Sequence, residues 1–240
     1  MNNLLAKLFI ITSLAIVVHA EDKSPWTDES ELGIVKVSGN TDSESYSAKQ
    51  KTTYTFDLNV LSLSGRYLET KAAGIQTAKS WEGAARFDRI LTDVWSVFIQ
   101  QGAESDYFAG YTQRDNSDIG AKYTLIKSET ENLFSEFGYR YSKTLSSIVA
   151  DTKHANYGRF YTEYSRKLNA AVSAKFWLEY LPNFTKSEAY LLNYEPSLSV
   201  MLNSMLSLKV AYLVKSHNFT VLPTEKKDDT TFSTALVAKF

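Results

Sequence analysis

Side chains alternate along nearly the whole chain. In the run 205–215, Leu206, Leu208, Val210, Tyr212 and Val214 fall on one side, while Ser207, Lys209, Ala211, Leu213 and Lys215 fall on the other. Val172, Ala174, Phe176, Leu178 and Tyr180 oppose Ser173, Lys175, Trp177 and Glu179 in the same way. Successive strand side chains point to opposite faces, so a period of two marks strands with one apolar face. Apolar residues recurring at three and four, the spacing of a helix face, occur in no segment after residue 20. The pattern predicts an all-β chain.

Short polar breaks then divide the alternation. They fall at 57–59, 91–93, near Glu129, at Asn169 and at 203–204, spaced 34 to 40 residues apart. Between successive breaks lie two strand-like runs joined by a longer polar connection, near 39–44, 72–78, 105–118, 144–155, 182–189 and 217–230. The count is twelve strands, with the short turns and both mature termini at one end and the longer loops at the other. An even number of strands, short turns at one end and longer loops at the other are the marks of an outer-membrane barrel. In hydrocarbon every backbone N–H and C=O must be paired, so a spanning sheet has to close on itself. The predicted fold is therefore a closed antiparallel transmembrane β-barrel over residues 29–240. A soluble exported β-barrel or sandwich binding an apolar ligand is the rival; it calls for more turn glycines and prolines than the 10 Gly and 4 Pro present.

The first twenty residues read as a leader, not as fold. Lys7 supplies a positive start, Leu8 to Val18 is uncharged and apolar, and Val18-His19-Ala20 ends in a small-residue cleavage pattern. The apolar stretch falls short of the roughly 20 residues a spanning helix needs. A signal peptide over 1–20, cut after Ala20, with a short periplasmic segment at 21–28, follows.

Composition removes several function classes. With 26 Lys+Arg against 27 Asp+Glu there is no basic excess to attract nucleic acid. No cysteine is present, which excludes disulfides and thiolate chemistry, and His19 of the three histidines lies in the leader. A hydrolase using His154 or His217 is the enzymatic alternative. Outer-membrane phospholipases carry a His-x-Ser arrangement, which His154-Ala155-Asn156 and His217-Asn218-Phe219 do not match. No catalytic residue, cofactor or metal is expected. Asp106, Asp115 and Asp118 read as members of one acidic external loop, able to bind cations that bridge lipopolysaccharide, but without an EF-hand spacing.

The two faces of the alternation say more about mechanism. The apolar face should meet lipid and lipopolysaccharide, with Tyr46, Tyr54, Tyr67, Trp81, Trp95, Tyr139, Tyr141 and Tyr180 near strand ends as interfacial anchors. The inward face carries Lys49, Lys51, Arg66, Arg86, Lys122, Arg140, Lys175 and Lys209 against Glu82, Asp88, Glu136, Glu179 and Glu195. Interleaved signs on neighbouring strands predict ion pairs inside the wall. Two readings stand side by side: a charged channel lining, or a polar plug that satisfies itself. Leu68, Phe98, Trp177, Met201 and Leu213 also point inward and narrow any opening. Twelve strands 4.8 Å apart and tilted ~40° close a circle of about 24 Å, between filled eight-stranded barrels and open porins.

Trp26, Leu32-Gly33 and Ser38-Gly39-Asn40-Thr41-Asp42, followed in order by Glu104-Ser105-Asp106, Arg114, Gly120 and Glu136-Phe137-Gly138-Tyr139, resemble the blocks of the salt-induced outer-membrane protein family, a domain of unknown function. The resemblance implies an outer-membrane barrel tied by name to salt stress and brings no catalytic residues. Gly39 and Asn40 also have a physical role, since both tolerate positive φ and can make the tight link between the first two strands. The last strand, with Phe232, Thr234, Leu236, Ala238 and Phe240 on one face, resembles the signal read by the barrel-assembly machinery.

Overall fold

A computed structural model describes residues 24–38, 42–147, 151–218 and 227–240. The expected leader and the Gly39-Asn40 turn lie outside the described residues. Twelve strands run in order: β1 (Trp26–Val37), β2 (Ser43–Phe56), β3 (Asn59–Ala72), β4 (Ile75–Ile90), β5 (Trp95–Asp106) and β6 (Tyr111–Lys127). They continue as β7 (Glu131–Ser146), β8 (Thr152–Lys167), β9 (Val172–Pro182), β10 (Tyr190–Met201), β11 (Leu206–His217) and β12 (Asp228–Lys239). Each pairs antiparallel with its neighbours in sequence, and β1 pairs with β12, so the sheet is a closed barrel. β1 begins at Trp26, a few residues ahead of the expected barrel start at 29.

One kind of side-chain chemistry recurs at the end of the barrel that holds the chain's C-terminus. In four of the five connections there, a polar side chain accepts amides from two or three residues on, which is how Ser, Thr and Asn make compact turns. Thr92 Oγ1 accepts from Trp95 N at 3.0 Å and Ser128 Oγ from Glu131 N at 2.9 Å. Asn169 Oδ1 accepts from Val172 N at 2.9 Å, and Asn203 Oδ1 from Leu206 N at 2.8 Å. These are the breaks visible in the sequence.

The opposite, loop end is less open than expected. The predicted loop at 72–78 is a two-residue turn, Ala73-Gly74, with φ of 50° and 76°. Positive φ at both central positions is the twist a tight hairpin needs. The predicted loop at 105–118 shrinks to residues 107–110, because Thr112 to Asp118 continue β6. The two errors have different causes: β6 runs on through residues polar on both faces, which look like loop by composition, whereas the 73–74 turn is set by its backbone dihedrals.

The wall is closed at its seam by four register pairs, from Glu29↔Lys239 to Leu32↔Leu236. Asp28 and Phe240 add a reciprocal pair of backbone hydrogen bonds, each 3.0 Å. Gly33 sits beside this seam, where an added Cβ would lie 2.7 Å from the Thr234 carbonyl oxygen.

Outward positions are apolar around most of the circumference: Leu32, Ile34, Leu61, Leu63, Phe87, Ile99, Ile119, Phe137, Phe160, Leu198 and Leu236 are all exposed. Rings cluster towards both rims, as in the Trp26–Tyr54 contact at the turn end and the Tyr180–Tyr190 contact at the loop end, at 4.4 and 5.6 Å. Tyr46 and Tyr54 on β2 stand about 21 Å apart along the barrel axis for a strand tilted ~40°. Between them the apolar face is interrupted. Asp28, Ser30, Gln50 and Thr52 share the outer face of β1 and β2, where Gln50 accepts from Ser30, and Asp28 accepts from Thr52 and Gln50. The cluster satisfies itself, so its polar groups face outward without lost hydrogen bonds.

Candidate functional site: the charged lumen

The barrel encloses a cavity of about 1470 Å³. Its lining runs from Thr92, Trp95 and Ser96 at the turn end to Phe108, Ala109 and Tyr111 at the loop end. All thirteen charged residues expected to face inward lie on this lining: Lys49, Lys51, Arg66, Glu82, Arg86, Asp88, Lys122, Glu136, Arg140, Lys175, Glu179, Glu195 and Lys209.

Most of the paired charges fall into two clusters, each built from contacts between neighbouring or next-but-one strands and tied together by one longer reach across the lumen. In the larger one, Arg86 grips Asp88 with Nε at 2.8 Å and Nη2 at 2.7 Å, and reaches across from β4 to Glu136 on β7 at 2.8 Å. Arg159 on β8 donates to Glu136 and to Glu179 on β9, both at 2.7 Å. Arg140 donates to Asp118 at 2.7 Å and to Glu179 at 3.2 Å, where Asn193 is a further donor. Three guanidiniums and four carboxylates thus form one continuous belt. The planar guanidinium fork makes this possible, because each can bind two carboxylates at once. Phe98, almost fully buried, lies under the belt with the Arg86 guanidinium carbon 3.9 Å from its ring centre.

The smaller cluster joins β1, β2, β10 and β11. Lys209 lies 2.8 Å from Glu31 and 3.4 Å from Glu195, and Lys49 lies 3.4 Å from Glu195 and 3.7 Å from Glu31. Elsewhere, Arg66 meets Glu82 at 3.2 Å and Lys175 meets Glu163 at 3.1 Å. Nearer the loop end, Arg114 stacks on Tyr111 and contacts Glu104 at 3.3 Å. The sequence predicts pairs between neighbouring strands, and most of the pairs are of that kind; it does not predict the two chords, from β2 to β10 and from β4 to β7. Periodicity along one strand holds no information about chords.

Sequence reasoning missed Arg159, Asp118 and Glu31. The expected grouping of Asp118 with Asp106 and Asp115 in one acidic loop is wrong. Asp106 ends β5 and accepts the Ala109 amide, Asp115 accepts from Gln113, and Asp118 is buried in the lumen. Its phase with Gly120 and Lys122 was the available signal. Arg159 hid because its inward face, Tyr157, Arg159, Tyr161 and Glu163, is half aromatic and so resembles a lipid face.

The two histidines are far from this belt in kind as well as place. His154 Nδ1 pairs with the Tyr141 hydroxyl at 2.6 Å, outside the cavity lining, whereas His217 ends β11 and lines the cavity at its loop end. Among the described residues no group of three or more His, Cys, Asp or Glu is arranged to hold a metal ion.

The family described as "Protein of unknown function, DUF481" matches residues 30–240. The chain belongs to that family. The match covers β2 to β12 and β1 from Ser30 onward, so the ion-pair clusters of the DUF481 barrel lie within it, while Asp28 and Glu29 of the seam precede it. A curated relative, the uncharacterized protein YdiY of Escherichia coli (strain K12), is 27% identical over 197 residues, covering 81% of this chain and 75% of the relative. Among solved structures, the NanC porin matches with a TM-score of 0.51 at 9% identity, over 89% of this chain and 97% of the porin. The KdgM porin aligns over 90% of this chain and 99% of its own, at 11% identity and a TM-score of 0.49. The NanC likeness shows that the DUF481 chain has the porin type of barrel fold.

Proposed function

We propose that this protein is an outer-membrane β-barrel, exported by a signal peptide cut after Ala20, that conducts small solutes passively through its lumen. The observation that carries the reading is a charged cavity whose lining reaches both rims, inside a closed cylinder jacketed by apolar side chains. Such a jacket suits acyl chains and lipopolysaccharide, and a closed sheet leaves no edge to be solvated. Purified barrel in planar bilayers should give discrete conductance steps. Silence from a barrel that still migrates as a heat-modifiable folded band would reject conduction and favour the second reading, an envelope-stabilising barrel, for which the ion-pair belt across the lumen speaks. The salt-induced resemblance adds an expectation of higher expression at raised external salt.

Assembly belongs to the same reading. Leu236, Ala238 and Phe240 share the outward face of the closing strand, and Phe240 is 70% exposed. That face is the surface we assign to the barrel-assembly machinery. Deleting Phe240 removes both the ring and the two seam hydrogen bonds to Asp28, and should lower the yield of folded barrel in cells severalfold, read as the heat-modifiable fraction. Phe240→Ala keeps the backbone bonds; an equal loss there would place the effect in recognition, and no loss in either variant would refute the assignment.

A further inference from the structure

We infer that the turn-end half of the lumen is a binding site for a small oxyanion, carrying a phosphate or carboxylate group, with Lys51 and Lys122 as its charge partners, and that the barrel therefore passes anions in preference to cations. The preference rests on the channel reading above; the binding site does not.

The lumen's cations are not equivalent. Lys49, Arg66, Arg86, Arg114, Arg140, Arg159, Lys175 and Lys209 each lie within 4 Å of a carboxylate. Among the described residues that line the cavity, Lys51, Lys122, Lys127 and Lys215 have no carboxylate that close; Lys127 is the last residue of β6 and Lys215 lies near the loop end of β11, which leaves Lys51 and Lys122 within the turn-end half. Lys51 stands five residues from the end of β2 and Lys122 five from the end of β6, so both lie towards the turn end.

The carboxylates nearby are already taken. Glu136 and Asp88 act on Lys122 electrostatically, but so do Arg86 and Lys51, and Arg86 holds both acids. Glu29, the cross-strand partner of Lys51, is bound by Lys239 at 2.7 Å. Two ammonium groups therefore face one enclosed space with their charge unspent. Lys51 is exposed to the lumen and Lys122 half-buried in it, and a wall of one sign concentrates mobile counter-ions.

The surroundings fit an oxyanion. The Lys122 ammonium lies 4.2 Å from the Phe134 ring centre, which fixes the side chain against the wall. Ser64 is the cross-strand partner of Lys51 and Ser96 that of Lys122, and both line the cavity. Hydroxyl donors beside ammonium groups supply hydrogen bonds as well as charge, which is what phosphate and carboxylate oxygens accept.

Two measurements test this. In a bilayer under a tenfold potassium chloride gradient, the wild-type reversal potential should have the sign of an anion-preferring pore. Lys51→Gln/Lys122→Gln should lower the anion-to-cation permeability ratio at least threefold. Conductance with no anion preference, or a preference the double variant keeps, overturns the inference and leaves the channel reading intact. The second measurement needs no conductance: inorganic phosphate, and separately acetate, titrated into the detergent-folded barrel at constant ionic strength. Either anion should raise the wild-type thermal midpoint and leave that of the double variant unmoved, and the stronger of the two identifies the preferred group. No rise with either anion overturns the site whether or not the barrel conducts.

Discussion

Arg159→Met should unfold at much lower urea than the wild-type barrel, a loss on the order of 3–5 kcal/mol, as found when one partner of a buried charge pair is removed. Arg159 is 6% exposed and binds two carboxylates at 2.7 Å, with Asp118 a further 3.7 Å away. Without it, Glu136 keeps Arg86 and Glu179 keeps Arg140, but four carboxylates then share two guanidiniums. Methionine fills much of the volume, so the measured change reports charge and hydrogen bonding more than cavity. Arg159→Lys retains the charge as a point donor that cannot span both acids and should fall in between. Refolding into vesicles followed by urea titration gives the comparison, and an Arg159→Met midpoint equal to wild type would show that the belt adds nothing to stability. If the barrel conducts, the same variant should also change step size, because the belt occupies the lumen.

Strand number, closure and facing were legible because each depends on local pattern. Alternation fixed which side of β9, β10 and β11 points inward, and single Thr, Ser or Asn residues marked four of the turns. The loop end was read less well, since the Ala73-Gly74 hairpin is decided by backbone dihedrals and β6 runs on through polar residues. Charged residues on clean strands, such as Lys209 and Glu179, could be assigned to the lumen one at a time. Their full set of partners could not, because the longest pairs depend on where strands three or four places apart in the sheet bring their side chains. Glu31 shows the difference: its phase is inward, yet its pairing with Lys209 exists only because the barrel closes between β1 and β12.

The sharpest steric demand in the wall falls on Gly120, and Gly120→Val should prevent normal closure of the barrel. Gly120 on β6 stands opposite Gly138 on β7, facing inward beneath Phe98. A Cβ there would lie 2.5 Å from the Phe137 carbonyl oxygen, 2.8 Å from Phe98 Cζ and 2.9 Å from Gly138 Cα. Two of these three atoms are backbone, so no change of rotamer relieves the contact; the strands must part or Phe98 must leave. Moving Phe98 withdraws the surface on which Arg86 rests at 3.9 Å and near which Arg159 lies at 5.7 Å. Overpacking a tight site costs about 1–3 kcal/mol when side chains can adjust, and a backbone collision sits at the upper end. Gly120→Val should therefore lose most of its heat-modifiable folded band, with Gly120→Ala intermediate. Adding Phe98→Ala to Gly120→Ala removes the ring contact but not the backbone ones, so it should fail to restore the wild-type midpoint. Gly83→Ala is the contrast: the nearest atom to its added Cβ, the Ser64 carbonyl oxygen, is 3.8 Å away, so the sheet should absorb it. Equal behaviour of Gly83→Ala and Gly120→Ala would show that the inner wall at β6–β7 is looser than its glycine pair and the Phe98 ring require.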